Sequence, residues 1–335
     1  MQQSVIIKEI GVYHPKRKIN NEVYIEHFKS LGQDEEKVRN FLKDIGRENR
    51  YISEEGETTL SMGVEATKKA LEKANLSGED LDIIVFSSGT PEYLFPPNAL
   101  IIHNEIQGKR EAVVYDANSA CVGMVVSVDQ VSKALLANPD SKYALIVGAE
   151  RMYHYAEKND PFTYGGFGDA SCAIILEKVN VEDVGVLDAS YNTESQYYKE
   201  MVFPACGLSN ILDEDVPNDD KLFKWGKLHS GPLFDYAPTQ ITDLLEKHNI
   251  NLSDVKQYLC TQVSIRAMEK MMNSLEENEF DKFYIIGDTY GYTGTSSPFI
   301  ALNEAVESGK VTRGDYIVFW SIGAGYTACA LLMKY

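Results

Sequence analysis

The stretch Val113-Val-Tyr-Asp-Ala-Asn-Ser-Ala-Cys-Val-Gly-Met124 decides how the chain is read. A β-branched run ends at Tyr115, and Asp116, Asn118 and Ser119 then supply turn and N-cap chemistry. From Cys121 onward, apolar residues recur at Val122, Val125, Val126, Val128 and Val131, the pattern of a mostly buried helix. Strand, turn, cysteine and helix in that order put one thiol at a helix N-terminus. There the macrodipole and the unpaired N–H groups favour the thiolate. A thiolate is a nucleophile, and carbonyl carbon is its common target. A small core residue is the alternative reading of any cysteine; the turn residues in front of this one outweigh it.

Segments on either side repeat one pattern. Val5 to Val12 reads as a strand, Asn20 to Asn49 as charged helix, and Thr58 to Asn75 as an amphipathic helix. Leu81 to Ser87 is a buried strand, Ser88 to Asn98 a loop, and Ala99 to Glu105 a helix. Beyond the cysteine helix come strands at Tyr143 to Val147, at Ala170 to Glu177 and within Val181 to Tyr191. Asn192 to Leu228 is polar, aromatic and proline-bearing, an insertion of loops with an acidic patch between Asp213 and Asp220. The second half then alternates again: helix Ala237 to Asn249, strand Val255 to Cys260, helix Ser264 to Ser274, strand Phe283 to Ile286, helix Ser296 to Glu307, and strands Tyr316 to Trp320 and Thr327 to Met333. Ser171-Cys172-Ala173-Ile174-Ile175-Leu176-Glu177-Lys178 echoes Ala328-Cys329-Ala330-Leu331-Leu332-Met333-Lys334. Near-continuous apolar strands alternating with helices suit sheets covered on both faces. The chain reads as a duplicated α/β unit, with residues 1–178 as one half and 179–335 as the other, and buried helices between the two sheets.

At 335 residues the chain is long enough for a substantial core without staples. Its net charge of −18 argues against a nucleic-acid partner and against an anionic membrane surface. Of the five cysteines, Cys172, Cys260 and Cys329 lie in apolar strand-like runs; no C-x-x-C pair occurs, so no metal site is expected. Reduced thiols and the absence of a signal-like N-terminus point to the cytoplasm. The uncharged run Tyr316 to Met333 has membrane-spanning length, but Gly323-Ala324-Gly325 divides it into two strands around a tight turn.

A duplicated α/β unit with a cysteine opening the central helix of its first half resembles the thiolase fold, a five-layered αβαβα sandwich of βαβαβαββ halves. Within that fold the chain resembles the β-ketoacyl-acyl-carrier-protein synthase III group of condensing enzymes. The resemblance runs along essentially the whole chain. It rests on Thr90-Pro-Glu-Tyr-Leu-Phe-Pro96, Asp116-Ala-Asn-Ser-Ala-Cys-Val-Gly123, Phe167-Gly-Asp169, Pro204-Ala205, Tyr290-Gly291 and Ile322-Gly-Ala-Gly-Tyr-Thr327, in this order. It implies that Cys121 takes an acyl group from a thioester, with the backbone N–H groups of Cys121 and Ala324 as the oxyanion hole. Coenzyme A or a phosphopantetheine thioester is then a substrate, with no tightly bound cofactor. An acyl-carrier protein or acyl-CoA is the implied partner and a homodimer the implied assembly, with a heterodimer with a homologue as the variant. Phe95 resembles a loop residue that crosses the dimer interface to close the partner's acyl pocket.

The chain departs from the family where the second half of the reaction is run. The family's His-Gln-Ala-Asn-x-Arg reads Thr261-Gln262-Val263-Ser264-Ile265-Arg266, and its Gly-Asn-Thr reads Gly291-Tyr292-Thr293. The histidine that helps stabilise the enolate is thus Thr261, and the asparagine is Tyr292. Losing one such donor typically costs ~10²–10³ in rate. The tryptophan that stacks on adenine in the family falls at or beside Phe41, and the arginine opposite it near Pro161. Arg266 and Lys270 match a basic docking spot for an acidic carrier, which Ser264 opens. His103, His154, His229 and His248 are the histidines weighed as substitutes. The expected function is an acyltransferase that forms an acyl-Cys121 thioester and transfers or condenses the acyl group. The alternatives are a non-catalytic or impaired partner subunit of an active homologue, and an acyl-thioester hydrolase.

Overall fold

In the computed structural model, residues 3–226, 232–275, 277 and 280–335 are described, with backbone alone at Pro232 and Leu233. The first half contains β1 (Ser4–Tyr13), β2 (Arg17–Asn20), α1 (Asn21–Ser30), α2 (Glu35–Asp44), β3 (Asn49–Ile52), α3 (Thr59–Ala74), β4 (Ile83–Ser87), α4 (Asn98–Glu105), β5 (Val113–Ala117), α5 (Gly123–Ala137), β6 (Tyr143–Glu150), α6 (Thr163–Gly166) and β7 (Ala170–Val179). There follow β8 (Gly185–Thr193), β9 (Met201–Val202), β10 (Lys224–Trp225), α7 (Pro232–Lys247), β11 (Val255–Cys260), α8 (Ile265–Ser274), α9 (Gly287–Tyr290), α10 (Ser297–Glu307), β12 (Tyr316–Gly323) and β13 (Thr327–Lys334).

Two mixed sheets carry the fold. One has the order β1-β7-β6-β4-β5 and the other β11-β12-β13-β8. In the first, β4 runs parallel to β5 and β6, while β7 is antiparallel to β6 and β1. In the second, β11 and β12 are parallel, and β13 is antiparallel to β12 and β8. Among the described residues, β8-β13-β12-β11 repeats β1-β7-β6-β4 in order and direction, and β5 has no counterpart strand in the second sheet, so the duplication legible in the sequence is a duplication of topology. The alternating sides of each strand explain the layers. Ile83 and Val85 of β4 and Leu331 and Met333 of β13 turn to a shared central core with α5 and α10. Ile84 and Phe86 turn outward under α3, and Ala330 and Leu332 turn outward with α7 and α8. The result is helices, sheet, helices, sheet, helices: the five-layered thiolase fold.

Close approach of α3 to β1 requires Gly11. A Cβ there would lie 2.2 Å from the Ala66 carbonyl oxygen and 2.5 Å from the Ala70 nitrogen, backbone atoms that cannot swing aside. Gly11→Ala is expected to cost ~1–3 kcal/mol by overpacking, visible as a lower Tm.

Two local expectations are corrected and a third holds. Asn20 to Asn49 is two helices, broken at Gly32 in the left-handed region (φ 81°), followed by β3, which pairs with β2. Phe283 to Ile286 is no strand: Phe283 makes a single parallel bridge to Tyr258. The backbone beyond it is bound instead by the Gln262 side chain, which donates to Tyr284 O (3.0 Å) and accepts from Ile286 N (3.1 Å). Glycine does divide Tyr316 to Met333, whose two parts are the antiparallel neighbours β12 and β13.

Candidate active site

The turn between β5 and α5 is built differently from the expected capping. Asp116 accepts from Asn98 N (2.7 Å) and Ala99 N (2.8 Å), so it caps α4 and not the cysteine helix. Asn118 Oδ1 accepts from Ala120 N at 2.9 Å, and Ala120 sits in the left-handed region (φ 49°). Val122 stands at the N-cap of α5 with no side-chain cap. The helix's orphan N–H at Met124 is met from the other half, by Thr295 Oγ1 at 2.7 Å. Cys121 therefore lies just ahead of the buried helix, in a turn held from both sides.

The second half supplies the opposite wall. Gly323, at the end of β12, approaches so closely that a Cβ there would meet Ser119 O at 2.6 Å. That approach brings the Ala324 N–H to the Cys121 sulfur, where it converges with the N–H of Cys121 itself. Two N–H groups at the sulfur favour its charged form, and both residues border the cavity in which a thioester carbonyl would be attacked. Ser321 Oγ donates to Cys121 O (3.1 Å) and lies 2.6 Å from Thr261 Oγ1. Thr261 is thus fully engaged in a buried brace behind Cys121 and lines neither cavity beside the thiol. Arg47, also buried, fixes the same segment by donating to Val263 O at 3.0 Å.

Tyr292 faces the thiol directly. Its ring packs on Phe167, and its hydroxyl is buried without a regular hydrogen bond. It acts on the Cys121 sulfur, whose charged form it favours. Burial nevertheless pushes the Cys121 thiol up to about 12, against the Tyr292 hydroxyl and the two N–H groups. Desolvation of the sulfur thus opposes the thiolate that the helix terminus favours. Tyr292→Phe is expected to slow acylation of Cys121 roughly 3- to 10-fold by removing a hydroxyl that favours the charged sulfur, with no loss of Tm because that hydroxyl makes no regular hydrogen bond.

Two cavities meet at Cys121 and Ala324. The larger, about 340 Å³, is lined by Met152, Met201, Phe203, Pro204 and Phe223, with Glu150 as its carboxylate. The smaller, about 50 Å³, runs past Tyr292 and Val263 to Trp225. Trp225 also borders a surface cleft of about 320 Å³ with Phe41, Asp160, Pro161 and Phe162. Phe41 and Pro161 are therefore brought together at the mouth, with Phe162 between Phe41 (6.4 Å) and Trp225 (4.0 Å). Ser264 precedes α8 without capping it. Arg266 and Lys270 do project from α8, but each pairs with an acid, Asp44 (3.4 Å) and Asp235 respectively, so the expected basic spot is locally neutralised. Phe95 is 86% exposed and Leu94 67%.

Among the described residues no histidine lines either cavity. His103 bonds Lys109 O, His248 bonds Asp188, and His154 lies outside the cavity walls. His229 falls outside the described residues. No group of metal-ligating side chains occurs among the described residues. Sequence reasoning missed Ser321 and Glu150. Glu150 closes an apolar strand in Gly148-Ala149-Glu150, and an acid at the end of a buried strand was the available signal.

Comparison with known proteins gives one answer. The sequence pattern of 3-oxoacyl-[acyl-carrier-protein (ACP)] synthase III matches residues 115–195, and that of its C-terminal region matches residues 245–335. The β-ketoacyl-[acyl-carrier-protein] synthase III of Aliarcobacter butzleri is 27% identical over 332 residues, covering 98% of this chain and 97% of that one. The same-named protein of Clostridium perfringens strain SM101 is 29% identical over 328 residues, 97% of each. The crystal structure of 3-oxoacyl-[acyl-carrier-protein] synthase III from Aquifex aeolicus superposes with a TM-score of 0.83 at 26% identity, covering 99% of this chain and 100% of that one.

Proposed function

Because the chain belongs to the 3-oxoacyl-[acyl-carrier-protein] synthase III family of condensing, acyl-transferring enzymes, we propose that its own reaction is acyl transfer through Cys121, with decarboxylative condensation slow. The supporting observation is an asymmetry at the sulfur. Two backbone N–H groups converge on it, whereas Thr261 is bound to Ser321 and Tyr292 offers a single phenol. In the first half-reaction the Cys121 sulfur attacks the thioester carbonyl, and the oxyanion is held by the Cys121 and Ala324 N–H groups. The carbon–sulfur bond to the donor then breaks and the acyl chain takes the apolar cavity of Met152, Met201, Phe203 and Phe223. The second half-reaction, by family resemblance, needs two donors on an enolate, and the side chains here are poor replacements. The relatives compared above are named as synthases, which does not favour a non-catalytic partner subunit or a thioester hydrolase.

We read the acyl donor as a phosphopantetheine arm on a carrier protein in preference to free coenzyme A. The mouth offers aromatic faces at Phe41, Phe162 and Trp225, with Asp160 and Pro161 beside them and no cation among its described lining residues. The exposed pairs of Arg266 and Lys270 exchange partners cheaply, so an acidic carrier can still engage α8. We also read the assembly as a homodimer. β5 is an open sheet edge with Val113 and Tyr115 exposed, near exposed Leu94 and Phe95, and open edges are normally covered. We place the division of the two thiolase-like halves at 178/179, at the C-terminal end of β7, and the five free thiols suit the cytoplasm.

The test is intact-protein mass measurement after incubation with acyl-CoAs and acyl-carrier proteins of graded chain length. A stoichiometric adduct from carriers, stronger than from coenzyme A thioesters, is the expected result. No adduct from any donor would overturn acyl loading.

A further inference from the structure

We propose that Glu150 takes the proton from the Cys121 thiol as the acyl group is loaded and returns it to the departing thiol, across the cavity the two residues share. The inference rests on the acyl-transfer reading above and supplies the base that reading lacks. With no described histidine at the cavity, the thiol needs another acceptor.

Glu150 stands at the end of β6, 3% exposed, and both it and Cys121 line the 340 Å³ cavity. Its two oxygens are used unequally. Oε2 accepts from Thr90 Oγ1 (2.6 Å), Thr90 N (3.0 Å) and Ser88 Oγ (3.3 Å). Oε1 accepts one hydrogen bond, from Gly89 N at 2.8 Å. It borders the open side of Gly89, where a Cβ would lie 3.6 Å from Oε1 and 3.9 Å from Ala120 Cα. A carboxylate oxygen accepts more than one hydrogen bond, so Oε1 has capacity left on the side of the residue preceding Cys121. The other fully buried carboxylate near the site, Asp169, is taken up by Ser53 N and Tyr153 N and does not line the cavity.

The titratable groups that face Glu150 are Cys121, from the turn before α5, and Tyr292, from the segment after α9. The loop after β4 contributes neutral donors, and neighbouring Arg151 turns its guanidinium to Ser53 Oγ at 2.9 Å. Burial pushes the Glu150 carboxyl up to about 7, against the donors from Thr90, Gly89 and Ser88. A base poised there is suited to accept a proton near neutral pH.

The proton balance is closed. Glu150–COO⁻ takes the proton of Cys121–SH and becomes Glu150–COOH as the sulfur–carbonyl bond forms, and the negative charge passes to the carbonyl oxygen. Collapse of the oxyanion breaks the donor's carbon–sulfur bond, and the released thiolate regains the proton from Glu150, through water in the cavity. The pH sign follows. Below about 7, Glu150 is protonated and cannot accept, so reaction at Cys121 is slow. The rate rises through that value and levels off, because the carboxylate is then fully charged while the thiol itself ionises only near 12. Without an acceptor, the rate follows free thiolate and rises tenfold per pH unit with no levelling.

The experiment measures two rates on the full chain between about pH 5.5 and about pH 9. One is alkylation of Cys121 by chloroacetamide, mapped by peptide mass with Cys121→Ala as reference; the other is acyl loading. We expect both wild-type rates to level off above about pH 8, and Glu150→Gln to lose the break and fall on the order of 10²-fold at neutral pH. A wild-type rate that climbs tenfold per unit throughout, or a break that survives in Glu150→Gln, would overturn the proposal. Should Glu150→Gln not fold, the wild-type profile alone decides. Alkylation that levels off without any acyl loading would retain Glu150 as the acceptor and reject the acyl-transfer reading instead.

Discussion

Cys121→Ala is expected to abolish the acyl-enzyme, lowering acyl transfer on the order of 10⁴-fold or more, while leaving the fold intact. Removing the sulfur deletes the group that forms the covalent bond, and no second thiol can replace it. Cys172, Cys260 and Cys329 are buried in strands, and Cys206 lies in the insertion loop, outside the linings of both cavities. The structural role at position 121 is carried by the backbone, whose carbonyl accepts from Ser321 Oγ. Alanine keeps that bond, so Tm should change little. Mass measurement with the donor that labels the wild type checks both points, the adduct and the unchanged melting curve. An adduct of equal yield on the variant would place the acyl group elsewhere.

The double substitution Thr261→His with Tyr292→Asn is expected to raise condensation with a malonyl thioester by roughly 10²–10³-fold. The two changes are coupled by space. Thr261 is 2% exposed and bound to Ser321, so an imidazole alone would be overpacked and would take away the brace behind Cys121. Tyr292 fills the wall of a cavity of only about 50 Å³. Replacing its ring by an amide frees volume for the imidazole and restores a second donor. The single Thr261→His should therefore lose stability and gain little activity, and only the pair should gain strongly. The assay is formation of 3-oxoacyl thioester and carbon dioxide. Wild-type turnover already equal to that of the double variant would refute the view that these positions limit condensation.

Much of this architecture was legible because the strands are buried on both faces and the helices between them are amphipathic or wholly apolar. The duplication shows in residues such as Cys172 to Glu177 against Cys329 to Met333, which occupy the corresponding strands β7 and β13. The capping of α3 was equally readable, since Thr58 and Ser61 form a reciprocal capping box and Asn75 ends the helix in the left-handed region. What sequence could not show was which partner each polar group finds. Asp116 reads as a cap for the helix that follows it, but it caps α4 across space. Gln262 gives no local sign that it replaces a strand ladder at Tyr284 to Gly287. Arg266 and Lys270 look like a basic patch until Asp44 and Asp235, far away in sequence, arrive beside them. The thiol shows the same limit of local reasoning. A dipole argument is local, whereas desolvation of Cys121 comes from the whole of its surroundings, including Val263 and Ile322 of the other half.

The central claim is that loading of Cys121 and decarboxylative condensation have been uncoupled by Thr261 and Tyr292. The most direct measurement is a single-turnover chase: load the wild-type protein, add a malonyl carrier thioester, and follow the acyl-enzyme by mass against time. Rapid loading is expected, followed by an adduct that outlasts its own formation time by roughly 10²-fold or more. Loss of the adduct as fast as it formed, with matching release of carbon dioxide and 3-oxoacyl product, would contradict the central claim.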